Sequence, residues 1–543
     1  MLASVLNSVW FASNLPGYWA LKRHFSDPLV CQQRLLMQVL HSNAHTVFGR
    51  RYRFSGMRDV SDFQCRVPVQ HYDNLYPLIE DIRQGRTNVL TREPVTHLMP
   101  SSGSTTARKL IPYTRSLQRE FNRAIGAWMV DLYSRHPALF AGRSYWSITP
   151  YQEESNHENG LTVGFKQDSS YLGGYKQRLV EPLMAVRENL LRIRDVESFR
   201  YVTLLELLKC SDLRLISVWH PSFLTLLMEE LDGLWDSLLR DINDGTISPP
   251  TRLLPCLRNR FDAKPDRNRR NQLGRVNCVD GRSIWPCLDV VSCWGSGHAK
   301  GAISELRRYF TGVTFQQKGL IATEAFMSLP FGKDESDNWL HPLAINSHFF
   351  EFVDDEGSVK QVDEIRLGQE YQILVTTGGG LYRYAMNDRI RVNGYIGRTP
   401  SIEFIGKVDS VTDFYGEKLN DRFVASIIES LITDLPGRVP FAMLAPDGAG
   451  KPERYTLYVE SDAPLDHAIG DRLEETLCAN PHYAVCRRLG QLKKAKIFRV
   501  SHSANKYYLL SSATDGRRLG DIKPVKLSSR RDWSRIFSGG YLA

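Results

Sequence analysis

The chain has 543 residues, of which 42% are apolar and 24% charged, and a formal net charge of +9. This length exceeds one ordinary hydrophobic core and predicts at least two domains, and the composition is typical of a soluble globular protein. The small net charge permits an anionic ligand without requiring nucleic acid. The nine cysteines form no CxxC pair and no zinc-type spacing with histidine, which indicates reduced thiols in a cytosolic protein.

Chain order gives the following elements for the first 135 residues. The N-terminal 25 residues lack an early basic residue and contain polar breaks, so they fit neither a signal peptide nor a membrane span, and we predict an amphipathic helix packed on the body. Helical spacing of apolar residues predicts helices over 28–48 and 115–135. Residues 49–85, which contain several glycines and prolines, are predicted to be rich in loops, and NVLT (88–91) and VTHLM (95–99) are predicted to be strands.

The remaining elements alternate between helices and strands. Leu-rich helices are predicted over 180–245, a buried strand at CLDVVSC (287–293), a helix at 301–310 and a strand opening GVTFQQKGLIATEAF (312–326). This alternation predicts an α/β fold, followed by antiparallel strands over 342–395. A polar segment near 406–420 separates a compact α+β pattern. We therefore expect an N-terminal domain over 1–408 and a small C-terminal domain over 409–543.

The stretch SSGSTTARKLIPYT (101–114) carries the densest cluster of hydroxyl residues. It is not a Walker loop, because Arg108 stands at the second glycine and Leu110 at the magnesium-binding hydroxyl. The predicted order of strand, hydroxyl-rich loop and helix suits an anion, since a helix N-terminus presents free amides. A surface turn capped by serines explains the loop alone equally well.

Three further positions have chemistry suited to a phosphate site. Glu324 follows Thr323 after a predicted strand, where a carboxylate can bind Mg²⁺ beside phosphate oxygens. Asp388, predicted to lie in a tight turn between strands, is a candidate to accept both ribose hydroxyls, although a lone aspartate there is usually a turn residue. Lys523, in GDIKP, is a candidate to neutralise a reacting phosphate, although a lone lysine is usually solvated.

Two other patterns have simpler interpretations. The glycine triplet of TTGGGLYRY (376–384) lacks dinucleotide-binding spacing and is interpreted as a hairpin turn. The basic run over 258–275 favours a solvated surface, but nucleic-acid binding stays open, with Arg267, Arg269 and Arg270 as the residues to neutralise.

The order of these motifs resembles the adenylate-forming superfamily, and most closely the acyl-acid amido synthetases that include the auxin-conjugating Gretchen Hagen enzymes, in their bacterial form. Besides SSGST, the ordered matches include FGRRYRF, VPVQHYDNLYPLIEDIRQG, VWHPSFLTLLMEEL, CWGSGHAKGAISELRRYF, QQKGLIATEAF and GKVDSVTDFYGEKL. The resemblance runs nearly end to end. It implies a large α/β N-terminal domain of the firefly luciferase-like type and a small, mobile α+β C-terminal lid.

The resemblance also implies the reaction and the residue roles. With ATP and Mg²⁺, a small carboxylic acid would become an acyl-adenylate, and an amine, usually of an amino acid, would take the acyl group; no nucleic acid or membrane is implied. The roles that the resemblance gives to single positions are phosphate binding by Ser101, Ser102, Gly103, Ser104 and Thr105, contact with the α-phosphate by Thr323, Mg²⁺ binding by Glu324, ribose binding by Asp388, the hinge at Lys407 or Asp409, and assistance to adenylation by Lys523.

Two departures from the family pattern accompany these roles. Thr106 and Ala107 stand where the loop usually has a further glycine. Asn387 follows Met386 where Leu-Gly is usual, and we expect a positive φ there, which asparagine tolerates best among non-glycine residues. Candidate acyl-pocket aromatics are Trp146, Tyr171, Trp219 and Phe326, each of which an ordinary core position explains equally well. The open alternatives are a thiol acceptor such as coenzyme A and a nucleic-acid-binding protein.

Overall fold

The chain divides into two compact units, Met1–Phe404 and Ile405–Ala543. The computed structural model describes residues 2–101, 109–147, 161–163, 174–187, 190, 192–193, 195–251, 253, 261, 264–276, 280–296, 299–408, 411–412, 414–415, 417–433, 435–448, 453–466, 468–514 and 524–542. Each unit is described by itself below.

Twelve α-helices lie in the described part of the first unit. They are α1 Leu2–His24, α2 Pro28–Ser42, α3 Val47–Arg51, α4 Val60–Arg66, α5 Tyr72–Arg83, α6 Arg115–Arg135, α7 Gly174–Val180, α8 Val196–Lys209, α9 Pro221–Asp244, α10 Arg267–Leu273, α11 Gly281–Ile284 and α12 Ala299–Leu306. The helices predicted over 28–48 and 115–135 are therefore present, the first ending at Ser42. None of the helices in the described ranges combines the length and apolar character needed to cross a bilayer.

Three sheets lie in the described part of the first unit, and the last strand of one of them continues past Phe404 into the second unit. Their strands are β1 His97–Pro100, β2 Leu110–Tyr113, β3 Arg143–Trp146, β4 Thr162–Val163, β5 Leu213–Ser217, β6 Val290–Trp294, β7 Thr314–Lys318, β8 Phe349–Val353, β9 Val359–Lys360, β10 Glu370–Thr376, β11 Tyr384–Ile396 and β12 Thr399–Lys407. The orders are β2-β1-β4, β3-β5-β6-β7 and β12-β11-β10-β8-β9. The second of these sheets is parallel throughout, and β8, β10 and β11 pair antiparallel, as the alternation over 342–395 predicted.

The parallel sheet separates two hydrophobic cores. Leu215 and Val290 face the core that contains α6 and the antiparallel sheet, whereas Ile216 and Val291 face the core built on α8 and α9. This division follows from the period of two along a strand, which sends successive side chains to opposite faces. The face toward α6 is the one that carries the polar residues discussed below.

The first helix is anchored to this unit by a buried amide. The Asn7 side chain donates to the carbonyls of Leu139 and Gly142 at 3.2 and 3.0 Å, and the Tyr133 hydroxyl donates to it at 3.1 Å. These bonds satisfy a polar group that would otherwise be costly to bury. The predicted N-terminal helix, packed on the body, is present.

The second unit is the predicted α+β pattern. Its helices are α13 Asp421–Thr433, α14 Ala468–Cys478, α15 Pro481–Arg488, α16 Ala504–Thr514 and α17 Trp533–Ile536, and its strands are β13 Val411–Thr412, β14 Leu419–Asn420, β15 Phe441–Asp447, β16 Arg454–Glu460, β17 Lys496–Val500 and β18 Gly539–Tyr541. The main sheet has the order β15-β16-β17-β18, in which only β16 and β17 are parallel.

Two local predictions in the first unit are wrong. Residues 49–85 hold most of α3 and all of α4 and α5 rather than loops, because side-chain caps such as Asp59, which accepts from the Asp62 amide at 2.8 Å, start helices despite the nearby glycines and prolines. The segment 88–91 is not a strand, because the carbonyls of Asn88 and Val89 instead accept the Val47 and Phe48 amides at the start of α3.

Candidate active site

The hydroxyl-rich stretch connects two antiparallel strands. β1 and β2 pair up to Pro100 opposite Leu110, and the Ser101 amide donates to the Lys109 carbonyl at 2.8 Å. Ser102, Gly103, Ser104, Thr105 and the departures Thr106 and Ala107 lie outside the described residues. Ser101 and Lys109 thus form a closed base on either side of residues 102–108.

A tyrosine of α5 holds this base in place. The Tyr72 hydroxyl accepts the Leu110 amide at 2.8 Å, and the Lys109 ammonium lies 5.7 Å from the centre of the Tyr72 ring. Burial raises the pKa of Tyr72, and the neighbouring acidic groups raise it further, although the bond from Leu110 opposes this. The hydroxyl is therefore a neutral acceptor at physiological pH.

The predicted order of strand, loop and helix is wrong, because β2 stands between the loop and α6. The short apolar run LIPY forms that strand. The first amides of α6 already have partners: Thr114 accepts from Leu117 at 3.2 Å, and the Glu93 carboxylate accepts from Ser116 at 2.8 Å. The N-terminus of α6 thus cannot serve as the anion site that the sequence suggested.

Thr323 and Glu324 lie at the tip of a tight turn that follows β7. Ile321 and Phe326 form an antiparallel bridge, and the Ala322 amide donates to the Ala325 carbonyl at 3.0 Å. Glu324 is buried, and Thr323 is partly exposed. The turn presents both side chains from a fixed backbone.

A buried histidine anchors this turn to two other segments. The Phe326 amide donates to Nε2 of His348 at 3.0 Å, so Nδ1 carries the proton and donates to the Glu120 carboxylate of α6 at 3.0 Å. The same carboxylate accepts the Gly378 amide, with 3.0 Å to each oxygen. His348 is fully buried, so the network connects the Thr323–Glu324 turn with the glycine triplet through bonds shielded from water.

The glycine triplet forms the hairpin connection between β10 and β11, as predicted. The Thr114 hydroxyl donates to the Gly378 carbonyl at 2.8 Å. A Cβ on Gly378 would lie 2.5 Å from a Glu120 carboxylate oxygen, and Gly380 has φ +93°. The close approach of the Glu120 carboxylate explains why residue 378 is glycine, and the positive φ explains why residue 380 is glycine.

Asp388 lies in a β-bulge rather than a tight turn. β11 continues through it, but three residues (386–388) stand opposite Ile373 between the pairs Leu374–Ala385 and Gln372–Arg389. Two extra residues re-aim the strand locally, which is how bulges place functional side chains. Asp388 is buried there, 5% exposed.

Asn387 adopts the positive φ that its replacement of glycine predicted. Its φ is +56°, and its side-chain oxygen accepts the Gln372 amide group at 3.2 Å. Asparagine is one of the few non-glycine residues that visit this region routinely. The Met386-Asn387 departure therefore keeps the bulge.

Tyr384 is buried at the start of β11. Burial raises the pKa of its hydroxyl above the ordinary value, and the carboxylates of Glu324 and Asp388 raise it further. The hydroxyl is therefore protonated at physiological pH.

The backbone before Tyr384 is held by a buried ion pair. Arg383, with φ +47°, bonds the Glu351 carboxylate at 3.1 Å and the Gln64 and Val67 carbonyls at 2.9 and 2.6 Å. A buried charge is tolerated only with such pairing and hydrogen bonding.

The remaining predicted site residues belong to the second unit. Lys407 is exposed at the end of β12, and Asp409 and Lys523 lie outside the described residues. Their roles stay predictions.

The described side chains fit a magnesium ion held largely by phosphate. No group of three or more His, Cys, Asp or Glu residues suited to a metal occurs in the described part of the chain. Mg²⁺ in phosphate-transfer sites needs only one or two carboxylates and takes its other ligands from phosphates and water. Glu324 fits that requirement as a single carboxylate.

The basic run is not a uniformly exposed surface. Arg269 is 4% exposed and donates to the carbonyls of Leu208 at 2.6 Å and Ile284 at 2.9 Å. It is therefore unavailable to a nucleic-acid phosphate, which corrects its inclusion among the candidate nucleic-acid contacts.

Comparison with known proteins identifies the family. A model of the GH3 family N-terminal domain matches residues 20–315, and models of the GH3 central and C-terminal domains match 341–407 and 424–532. The chain belongs to the GH3 family. This confirms the family resemblance drawn from the order of the motifs.

One similar sequence and two solved structures extend the comparison. Indole-3-acetic acid-amido synthetase GH3.2 of Arabidopsis thaliana is 24% identical over 440 residues, 74% of this chain and 78% of that protein. The structure titled AtGH3.15 acyl acid amido synthetase in complex with 2,4-DB has a TM-score of 0.82 at 20% identity, over 97% of both chains. A 2-hydroxyisobutyryl-CoA ligase with 2-HIB-AMP has a TM-score of 0.51 at 12% identity, over 94% of this chain and 92% of that one. The predicted adenylate-forming fold is confirmed.

The predicted acyl-pocket aromatics of this GH3 protein differ in their position in the fold and in their burial. Trp146 ends β3 and Trp219 follows β5, both partly exposed at the carboxyl end of the parallel sheet. Phe326 is fully buried and contacts Phe121 edge to face at 6.2 Å, as a core aromatic does. Tyr171 lies outside the described residues.

Sequence reasoning missed Glu120 and His348. Neither residue stands in a recognisable motif, and they are separated by 228 positions. Glu120 does occupy the apolar face of α6 between Leu117 and Phe121, and a carboxylate on such a face is the signal that indicates a buried partner.

Proposed function

We propose that this protein is an ATP-dependent ligase that joins a carboxylic acid to the amine of an amino acid. The acid's carboxylate attacks the α-phosphate of ATP, pyrophosphate leaves, and an acyl-adenylate forms. The amine then attacks the activated carbonyl, an amide forms, AMP leaves, and a proton is released. The expected enzyme class, an acid–amino acid ligase, is confirmed by the GH3 family and by the amido synthetases to which the chain is similar.

The buried network of His348 and Glu120 carries the assignment of residues. It connects the Thr323–Glu324 turn with the hairpin that leads into β11, the strand whose bulge contains Asp388, while Tyr72 supports the base of the hydroxyl-rich stretch. This arrangement supports Mg²⁺ binding by Glu324, ribose binding by Asp388 and contact of Thr323 with the reacting carboxylate and α-phosphate. In the same proposal Ser101, Ser102, Gly103, Ser104 and Thr105 bind the phosphates.

The chemistry explains why no protein nucleophile is needed. A carboxylate is a poor acyl donor, and adenylation supplies AMP as a good leaving group. The first step brings two anions together, so positioning and positive charge dominate its catalysis. Mg²⁺, when bound, supplies part of that charge, and Lys523 is proposed to supply more.

The second half-reaction needs an uncharged amine and a site without water. We propose that the C-terminal domain, residues 409–543, is a lid that moves about a hinge at Lys407 or Asp409, relative to the domain of residues 1–408. Such a movement allows one chain to present different neighbours in the two steps and shields the adenylate from hydrolysis. Dependence on ATP fits the cytoplasm, where we place the enzyme.

An exchange assay tests the proposal. Wild-type protein with ATP, Mg²⁺ and labelled pyrophosphate is assayed over a panel of aryl, indolyl and aliphatic acids, and product mass then distinguishes an amide from a coenzyme A thioester. We expect acid-dependent exchange and an amide with an amino acid. A coenzyme A thioester as the sole product would contradict the proposed amine acceptor. Absence of exchange with every acid would contradict the proposed enzymatic activity.

A further inference from the structure

Two rows of side chains meet at the carboxyl end of the parallel sheet, on the face toward α6. In-register pairing places Trp146, Ser217, Ser292 and Gln316 in one row across β3, β5, β6 and β7. Two residues further along the strands, Trp294 pairs with Lys318. In open parallel sheets, ligands bind outside the carboxyl ends of the strands, so these rows border the expected substrate crevice.

Lys318 ends β7 inside a cage of tryptophans. Its ammonium lies 4.6 Å from the ring centre of Trp219 and 5.8 Å from those of Trp128 and Trp146. The side chain is 3% exposed. Aromatic faces stabilise a cation most when water is excluded, so the cage keeps a positive charge at the end of the sheet.

Within the described part of the chain, two buried polar atoms beside the cage have no hydrogen-bond partner. The Gln316 side-chain oxygen is occupied, because it accepts from Trp128 at 2.9 Å and from Ser292 at 3.1 Å, but no described residue accepts from its amide nitrogen. The Ser217 hydroxyl, 2% exposed, has no partner among the described residues either. Buried donors without partners are rare in native proteins, and a ligand is one explanation for them.

Helix α6 gives an approximate distance between the tryptophan cage and the proposed reaction centre. Trp128 belongs to the cage, and Phe121, two turns earlier on the same helix face, contacts Phe326 at the Thr323–Glu324 turn. Seven residues of α-helix span about 10 Å. A single aromatic ring with a substituent at each end fits a span of that order.

We propose that the cage binds the distal end of the acid substrate, and that the substrate class is an aromatic carboxylic acid with a second oxygen acceptor, a carboxylate or hydroxyl. The rings of Trp146 and Trp219 flank the aromatic part, and Lys318, Ser217 and Gln316 donate to the distal oxygens. This inference rests on the proposed function for the position of the reacting carboxylate, but it predicts binding selectivity that is measurable without the reaction.

Calorimetry tests the selectivity on the full chain with benzene-1,4-dicarboxylate and 4-methylbenzoate as probes. We expect wild type to prefer the dicarboxylate by at least about tenfold, the usual effect of a hydrogen bond to a charged group. Lys318→Met should remove this preference while binding of 4-methylbenzoate stays within about threefold. Lys333→Met, which removes another lysine over a tryptophan ring at 5.3 Å, is the matched control and should keep the preference.

The outcomes separate the two proposals. Equal binding of both acids by wild type, or an unchanged preference in a folded Lys318→Met variant, overturns the inference. If Lys318→Met fails to fold, Ser217→Ala and Gln316→Leu must each reduce the preference, and unchanged selectivity in either folded variant overturns the inference. Selective binding without pyrophosphate exchange supports the distal site and counts against the proposed function alone.

Discussion

At the scale of single residues, the structure places a predicted site residue in a local conformation that its sequence context does not indicate. Asp388 was predicted in a tight turn, and instead lies in a bulge within a continuous strand. The pattern MNDRIRV marks polar residues between apolar ones, but it does not reveal that two extra residues stand opposite Ile373. The residue type suggested that Asp388 binds the ribose, whereas the register between β10 and β11 determines where Asp388 lies.

Replacing Asp388 tests its proposed role with the ribose. Asp388→Ala should raise the KM for ATP by about tenfold or more, the effect of losing hydrogen bonds to a charged acceptor, with a smaller change in kcat. Steady-state exchange rates as a function of ATP concentration measure both. Asp363→Ala, an exposed carboxylate of the same unit, is the control, and equal KM values in both variants would contradict the assignment.

At the scale of elements, the bulge in β11 requires a left-handed backbone conformation at Asn387. Asn387→Ala places an ordinary side chain at φ +56°, which costs about 1 kcal/mol of folding free energy. Like Asn387→Ala, Asn387→Gly loses the hydrogen bond from Gln372, but it adopts this backbone conformation freely, so it should be more stable than Asn387→Ala. Urea unfolding of the three proteins measures the differences, and an alanine variant as stable as the glycine variant would show that the bulge is not strained.

The hairpin that carries the hydroxyl-rich stretch depends on Tyr72. Tyr72→Phe removes the acceptor of the Leu110 amide, so we expect a several-fold higher KM for ATP, since one hydrogen bond is worth about 1 kcal/mol. Tyr76→Phe, on the same helix and 52% exposed, should leave the KM unchanged. Pyrophosphate-exchange kinetics give the KM for ATP of both variants. Identical KM values would contradict the proposal that Tyr72 supports the site.

Sequence predicted most elements with strong periodicity and failed where partners decide the conformation. α6 was predicted over 115–135 and the structure has it at Arg115–Arg135, because its apolar spacing is regular. The run LIPY was too short to distinguish from loop, so β2 was missed. The network of Glu120, His348 and Gly378 was missed because its members meet only after three separate segments pack together.

At the scale of the whole molecule, the buried His341 connects stability to pH. Burial lowers the pKa of His341 below its ordinary value of 6.5, although a bond to the Gln317 carbonyl and the charge of Glu403 oppose this. The unfolded chain therefore takes up a proton as pH falls through 6.5, whereas the folded chain does so only at lower pH. The contribution is present above pH 6.5 and is lost as pH falls toward the folded-state pKa.

Unfolding free energies measured by urea at pH 7.5, 6.5 and 5.5 test this linkage. We expect stability to decrease between about pH 6.5 and 5.5. The decrease should be smaller in His341→Gln, which removes the titrating ring, than in His41→Gln, which replaces an exposed histidine of the same unit. Equal pH slopes in the two variants would contradict the assignment to His341.

ATP–pyrophosphate exchange tests the central claim most directly, because it reports acyl-adenylate formation without knowledge of the amine. The account predicts acid-dependent exchange that requires Mg²⁺ with at least one aromatic acid, and a large loss of exchange in Glu324→Gln with the fold retained. Absence of exchange for every acid in folded wild-type protein, or wild-type exchange in Glu324→Gln, would contradict the account.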